Sequence, residues 1–284
     1  MQHALADYDL TEHGPGEQFA RAVLASDGAD VDVPIAASLP TLFPLAKHRP
    51  RYTVRHLLKS ATVTEEPVTY VSEAPTPGTP EIAGTSYEAS PEATFVPRLV
   101  ETKLTEVTAG VAVPPDLLRD PTLLAGFVDY RVLVRLGTIE NEVLLHGSAD
   151  SVIPGLIGLP GARRRAAPGE LTAEVITAAG EVEEMGGSCD AIVAHPNRYW
   201  DLLGSGMLAR LGEVGIRVSR TRMIAPDQVL LGDFRAAVTL LESGTSQLSL
   251  CRGAGPDGSD VITAGLRLGL AVHLPQHFLL LDLR

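Results

Sequence analysis

The stretch "PPDLLRDPTLLAGFVDYRVLVRLGTIENEVLLHG", Pro114 to Gly147, carries the clearest periodicity in the chain. Leu124, Val128, Val132, Leu136, Ile139 and Val143 follow at steps of four, four, four, three and four, while Asp129, Arg131, Arg135 and Glu142 fall away from that stripe. This spacing predicts an amphipathic helix. Asp120 before Pro121 supplies an N-cap with proline at the first helical position, and Gly147 supplies a stop. Helical from Pro121 to His146, the segment would span about 39 Å at ~1.5 Å per residue, enough to cross a domain as a spine.

The helix runs into "GSADSVIPGLIGLPG", whose glycines raise the question of a phosphate-binding loop. A nucleotide site needs strand, glycines and then a helix N-terminus aimed at the phosphate. Here the helix comes first, so its carbonyl end faces the glycines and repels an anion. The glycines read instead as a C-cap and a close-packed turn.

The 284 residues are 45% hydrophobic and 20% charged, which suits a folded chain with a sizeable core. A formal net charge of -12 gives no general attraction to nucleic acid or anionic membrane, although a container need not grip its contents. The acidic N-terminus lacks a signal-peptide pattern, and Val261 to Leu283 is too interrupted by charge and proline for a membrane helix. Cys189 and Cys251 stand far apart and form no disulfide framework, which suits a reducing cytoplasm.

Upstream, "EQFARAVLAS" predicts a short helix with Phe19, Val23 and Leu24 on one face, and "PIAASLPTLFPLAKHRP" an extended, proline-punctuated passage. A strand at Pro67–Ala74, a loop of Pro, Gly, Thr and Ser, and the alternating "FVPRLVETKLTEVTAGVAV" suggest a long two-stranded ribbon. Such a ribbon is marginal alone in water, so it calls for support from outside itself. Downstream, "ELTAEVITAAGEVEEM" predicts a helix, "CDAIVAHP" a buried strand, "NRYWDLLGSGMLARLGEVG" helix and loop, and the remainder strands broken at Pro275. Helices and strands lack regular alternation, which indicates α+β.

Enzyme signatures G-x-S-x-G, H-E-x-x-H and G-x-x-x-x-G-K-[ST] are absent from the sequence. Cys189 with His195 offers one nucleophile arrangement, against which stands a small buried thiol at a strand start. His273 and His277 straddle a proline and make an incomplete metal set. Arg163, Arg164 and Arg165 form the dense basic run, read as a solvated loop tip or as a contact for acidic cargo or RNA. Tyr199 and Trp200 read as anchors of a helix on a sheet.

Taken in order, these pieces resemble the major capsid protein fold of phage Hong Kong 97, shared by encapsulin nanocompartments. "RYTVRHLLKSATVTEEPVTYVSEA" is similar to that family's entry into its extended loop, the E-loop. "PPDLLRDPTLLAGFVDYRVLVRLGTIENEVLLHGSAD...PGLIG" is similar to its spine helix and following loop. "AIVAHPNRYWDLL", "GIRVSRTRMIAPDQVLLGDF" and "RLGLAVHLPQHF" resemble its later strands and hairpin. The resemblance implies an N-terminal arm over 1–59, an E-loop over 60–110, a peripheral-domain spine over 111–149, an axial domain over 150–260 and returning strands over 261–284.

It further implies a cytoplasmic, non-enzymatic shell subunit without cofactor or metal, with identical copies closing an icosahedral shell. A T=1 arrangement around a protein cargo is favoured, with no membrane partner; the alternative is a prophage capsid around double-stranded DNA. No lysine stands between Lys59 and Lys103, and Gly265 and Leu266 occupy the place of an assisting acid. A covalent lysine-to-asparagine weld between subunits is therefore not expected. The short arm after Met1 leaves no expected room for a built-in scaffold, which shifts weight toward encapsulin. Expected site residues are Gly204, Ser205, Gly206, Met207 and Arg210 at a pore loop, Tyr70, Ile82, Tyr87 and Phe95 at E-loop contacts between subunits, and Phe19 and Val23 facing cargo.

Overall fold

The computed structural model describes residues 14–42, 53–73 and 96–283. In chain order the elements are α1 (Pro15–Ala25), β1 (Val31–Ile35), α2 (Leu39–Leu42), β2 (Lys59–Thr62), β3 (Val68–Ser72), β4 (Arg98–Thr102) and β5 (Thr105–Val113). Then come α3 (Pro121–Phe127), a π turn (Val128–Val132), α4 (Leu133–His146), β6 (Arg163–Ala167), α5 (Leu171–Glu184), β7 (Ala191–Ala194), α6 (Pro196–Gly204) and α7 (Met207–Glu213). Strands β8 (Arg217–Arg220), β9 (Gln228–Gly232), β10 (Val238–Cys251), β11 (Asp260–Val272) and β12 (Phe278–Leu283) complete the chain. The mixture of segregated helices and strands is α+β, as the sequence indicates.

The described residues form two compact units, one of 14–42, 104–140 and 242–268, the other of 53–73, 96–103, 141–241 and 269–283. In the first, a sheet runs in the order β1–β10–β11–β5, with Val31 opposite Leu250 and Asp260 opposite Val113 in antiparallel registers. Helix α1 packs on α3. Phe19, Ala20 and Val23 of α1 and Leu124, Ala125 and Val128 of the spine are all buried. Each fully buried Leu, Val or Phe contributes about 1.5–3 kcal/mol relative to exposure.

The spine is one helical run from Pro121 to His146, capped by Asp120 Oδ1, which accepts the N–H groups of Thr122 and Leu123 at 3.0 Å. It differs from the simple prediction at the π turn. At ~3.6 residues per turn, each four-residue step overshoots one full turn by about 40°. A π turn holds more residues per turn, so Leu124, Val128, Val132 and Leu136 all stay buried. The same widening brings Asp129 inside, although the stripe placed it outside. Beyond Leu136 the buried face moves to Leu144 and Leu145, and Ile139 and Val143 are half-buried.

In the second unit the sheet order is β6–β12–β9–β7–β8, with β6/β12 and β7/β8 parallel and the inner pairs antiparallel. Val175, Ala178 and Val182 of α5, Leu202 of α6 and Met207 and Leu211 of α7 form a core with Ile192, Val229, Leu231, Leu279 and Leu281. Leu230 and Leu280, on the opposite face of the same strands, are also buried. That two-sided burial explains the unbroken apolar runs in these strands.

Three expectations are corrected. The proline-punctuated passage after β1 includes the short helix α2. The basic run is not a loop tip: Arg163–Ala167 is strand β6, parallel to β12. Its arginines have local partners, Asp282 for Arg164 and both Glu174 and Glu181 for Arg165. The arm after Lys103 also pairs elsewhere than expected: β5 pairs with β11, and among the described residues β3 and β4 form the two-stranded pair.

Candidate assembly surfaces

β3 and β4 pair antiparallel, with Tyr70 opposite Val100, Val71 opposite Leu99 and Ser72 opposite Arg98. Among the described residues no third strand joins them. Alternation puts Val71 and Leu99 on one face, where they are 47% and 76% exposed. Val96 and Val100 are exposed as well. An apolar cross-strand pair left in water is the feature that a neighbouring surface stabilises by covering it.

Of the expected E-loop contacts, Ile82, Tyr87 and Phe95 lie outside the described residues. Tyr70 is half-buried, and its ring meets the edge of His273 at a centroid distance of 5.5 Å. Burial pushes its phenol above the ordinary value, partly offset by a hydrogen bond to the Val272 backbone. Tyr70 thus serves the ribbon's hold on its own unit.

The pore-loop candidates fall at a tight turn between α6 and α7. Gly204 closes α6, Ser205 Oγ donates to Leu202 O at 3.0 Å, and Gly206 has φ of +74°, a left-handed conformation that favours glycine. Gly204, Ser205, Gly206 and Arg210 are exposed. Met207 is buried among Leu202, Leu211 and the strands, because α7 starts there and turns its first side chain inward. On the same α6, Tyr199 is buried, whereas Trp200 is 56% exposed under the Arg220 guanidinium, 4.9 Å from the ring centroid. Sequence reasoning missed this cation–π stack, for which Arg in "RVSR" was the available signal.

The cargo-facing candidates lie on α1. Phe19 is 0% exposed and Val23 is buried, whereas Leu24, placed with them on one face, is 52% exposed. The helix turns its 19–20–23 edge onto α3, so these side chains are consumed by packing within the unit.

The chemical candidates do not assemble. Burial, with Asp190 nearby, pushes the Cys189 thiol up to about 12, so no thiolate nucleophile forms at neutral pH. His195 caps α6, its Nδ1 accepting from Asn197 N–H at 3.3 Å. His273 faces Val71 O and Thr239 Oγ1, and His277 is buried. Among the described residues, no group of three or more His, Cys, Asp or Glu is placed to hold a metal ion, and no helix is long and apolar enough to cross a membrane.

The glycine loop folds back over the end of the spine. Leu156 and Ile157 N–H groups donate to Leu144 and Leu145 carbonyls at 2.9 Å, satisfying helix-end acceptors. Gly155 lies so close that a Cβ there would stand 2.4 Å from Gly147 N.

No protein-family model matches the chain, and no curated relative matches it. Solved structures do. The virus-like particle from Pyrococcus furiosus superposes with a TM-score of 0.59 at 11% identity, over 87% of this chain and 97% of that one. The capsid of a native GTA particle gives 0.58 at 14% identity, over 82% and 90%. The Mycobacterium phage Adephagia structure gives 0.56 at 14%, over 82% and 90%. The chain has the fold of these structures.

Proposed function

We propose that this chain, which has the Hong Kong 97-type capsid fold, is a self-assembling shell subunit of the encapsulin kind, its copies closing an icosahedral container around a protein cargo in the cytoplasm. The observation that carries the reading is the two-stranded β3–β4 ribbon, whose Val71–Leu99 face stands open on a chain of this fold. Two strands alone are marginal in water, and a second copy supplies the missing support. The E-loop assignment for this ribbon, the peripheral role of the spine and the axial role of the second sheet belong to the same reading. So does an exposed pore-side turn at Gly204, Ser205 and Gly206 with Arg210 nearby.

A second reading is favoured by the likenesses to the capsid of the GTA particle and to the Mycobacterium phage structure: a capsid around double-stranded DNA. The contents decide between them. Particles purified with their native gene neighbours present, then treated with nuclease, are expected to hold a stoichiometric second protein and no protected DNA. Nuclease-resistant double-stranded DNA inside them overturns the encapsulin reading in favour of the capsid.

A further inference from the structure

Both the segment that leads toward the ribbon, residues 53–57, and the end of β3 are held by other parts of the same unit. Before β3, Ser219 Oγ donates to Thr53 O at 2.8 Å and Val54 N–H donates to Asn141 Oδ1 at 2.8 Å. Arg217 then spans two successive carbonyls, Nη1 donating to His56 O at 2.8 Å and Nη2 to Leu57 O at 3.1 Å. Asp190 Oδ2 lies 3.8 Å behind the guanidinium.

At the far end of β3 the anchor centres on His273. Glu73 N–H donates to His273 O at 2.7 Å, and Val71 O lies 2.9 Å from His273 Nδ1. A carbonyl only accepts, so Nδ1 carries the proton there, and Nε2 faces Thr239 Oγ1 at 3.1 Å. The ring edge of this same histidine packs on Tyr70. His273 therefore grips residues 70, 71 and 73 together, on the strand whose residue 71 lies opposite exposed Leu99.

We propose that Arg217 and His273 are positioning residues for assembly: they fix the course of the ribbon in the unassembled subunit, so that the Val71–Leu99 face meets a second copy already ordered. This rests on the shell reading. A two-stranded ribbon has little order of its own, so its order before assembly draws on what holds its ends, these anchors among them. Presetting the ribbon removes an ordering cost from every contact in the shell, and a shell multiplies that saving over all its copies. The Arg217 fork reaches two carbonyls at once, which a lysine ammonium on one flexible stem reproduces in part.

The test compares wild type with Arg217→Ala, Arg217→Lys and His273→Ala in the full chain, dissociated in denaturant and returned to assembly buffer. Assembly is followed by light scattering, beside thermal melts of each protein. The alanine variants are expected to assemble at least about tenfold more slowly, with Arg217→Lys intermediate. They should slow more than Leu231→Ala, a core variant with an equal or larger drop in melting temperature. Wild-type rates in both alanine variants overturn the proposal, as does slowing that merely tracks melting temperature across all four variants. Should the wild type form no particle, the shell reading fails on its own. Hydrogen exchange on the unassembled chain then judges the anchors: the Val54 amide, held by Asn141 Oδ1, and the Glu73 amide, held by the His273 backbone carbonyl, are expected to be protected, and each is expected to exchange faster once the side chain that steadies its segment, Arg217 or His273, is cut back to alanine. Unprotected amides in the wild type overturn the anchoring itself.

Discussion

Asp129 shows how one residue can carry more than its place in a pattern suggests. Helix α1 begins at Pro15 after Gly14, which has no side chain to cap it, and the Asp129 carboxylate fills that role from 113 residues away, accepting Gly16 N–H at 3.0 Å. The approach is tight: a Cβ on Gly16 would stand 2.4 Å from Ala125 O. Burial raises the Asp129 carboxyl from an ordinary 3.8 to about 6, against the smaller opposing pull of Gly16 N–H. A carboxyl raised on folding contributes stability that is complete below about 3.8 and lost as pH rises through about 6. Melts of wild type and Asp129→Asn between pH 4 and 7.5 are therefore expected to differ in slope, the wild type losing stability with rising pH across that window relative to the variant. Parallel curves would contradict the assignment. The sequence could not reveal this cap, because Asp129 falls off the apolar stripe and only the π turn brings it inward. Cys189 was legible, since a small thiol at the start of an apolar strand reads as core, and it is core.

At the scale of elements, the spine and its glycine loop act as one piece. The spine's N-cap, proline start and glycine stop were all readable, because they follow from local backbone chemistry. What the loop does depends on a fold-back that no spacing encodes: Leu156 and Ile157 amides cap the helix carbonyls while Gly147 and Gly155 take φ of +94° and +71°. Gly155→Ala combines a left-handed backbone with a contact too short for any Cβ, and is expected to destabilise the chain by more than about 1 kcal/mol. Gly158→Ala, with nothing within 4 Å of the added methyl, is expected to stay close to wild type. Thermal melts of the pair check this, and equal melting temperatures would contradict the close packing. The basic run was misread at this scale because Arg163 to Ala167 has little strand propensity of its own. Pairing with β12 and carboxylates on α5 and β12 impose the strand.

For the whole molecule, element order was enough to indicate the fold, since the spine, the ribbon and the closing strands come in a sequence that local propensity sets. The allocation of side chains was not. Phe19, Val23 and Met207 look like surface contacts in a linear reading, and tertiary packing takes all three into the chain's own cores. The ribbon face does remain outside, and the proposed function depends on its needing a neighbour. Leu99→Asp places a charge where a second copy would cover the strand. It is expected to leave folded, unassembled subunits with a near-wild-type melt, because Leu99 is 76% exposed in the single chain. Most directly, negative-stain electron microscopy of the purified wild-type protein at physiological salt is predicted to show closed, uniform particles. A field of folded monomers or dimers alone would contradict the account.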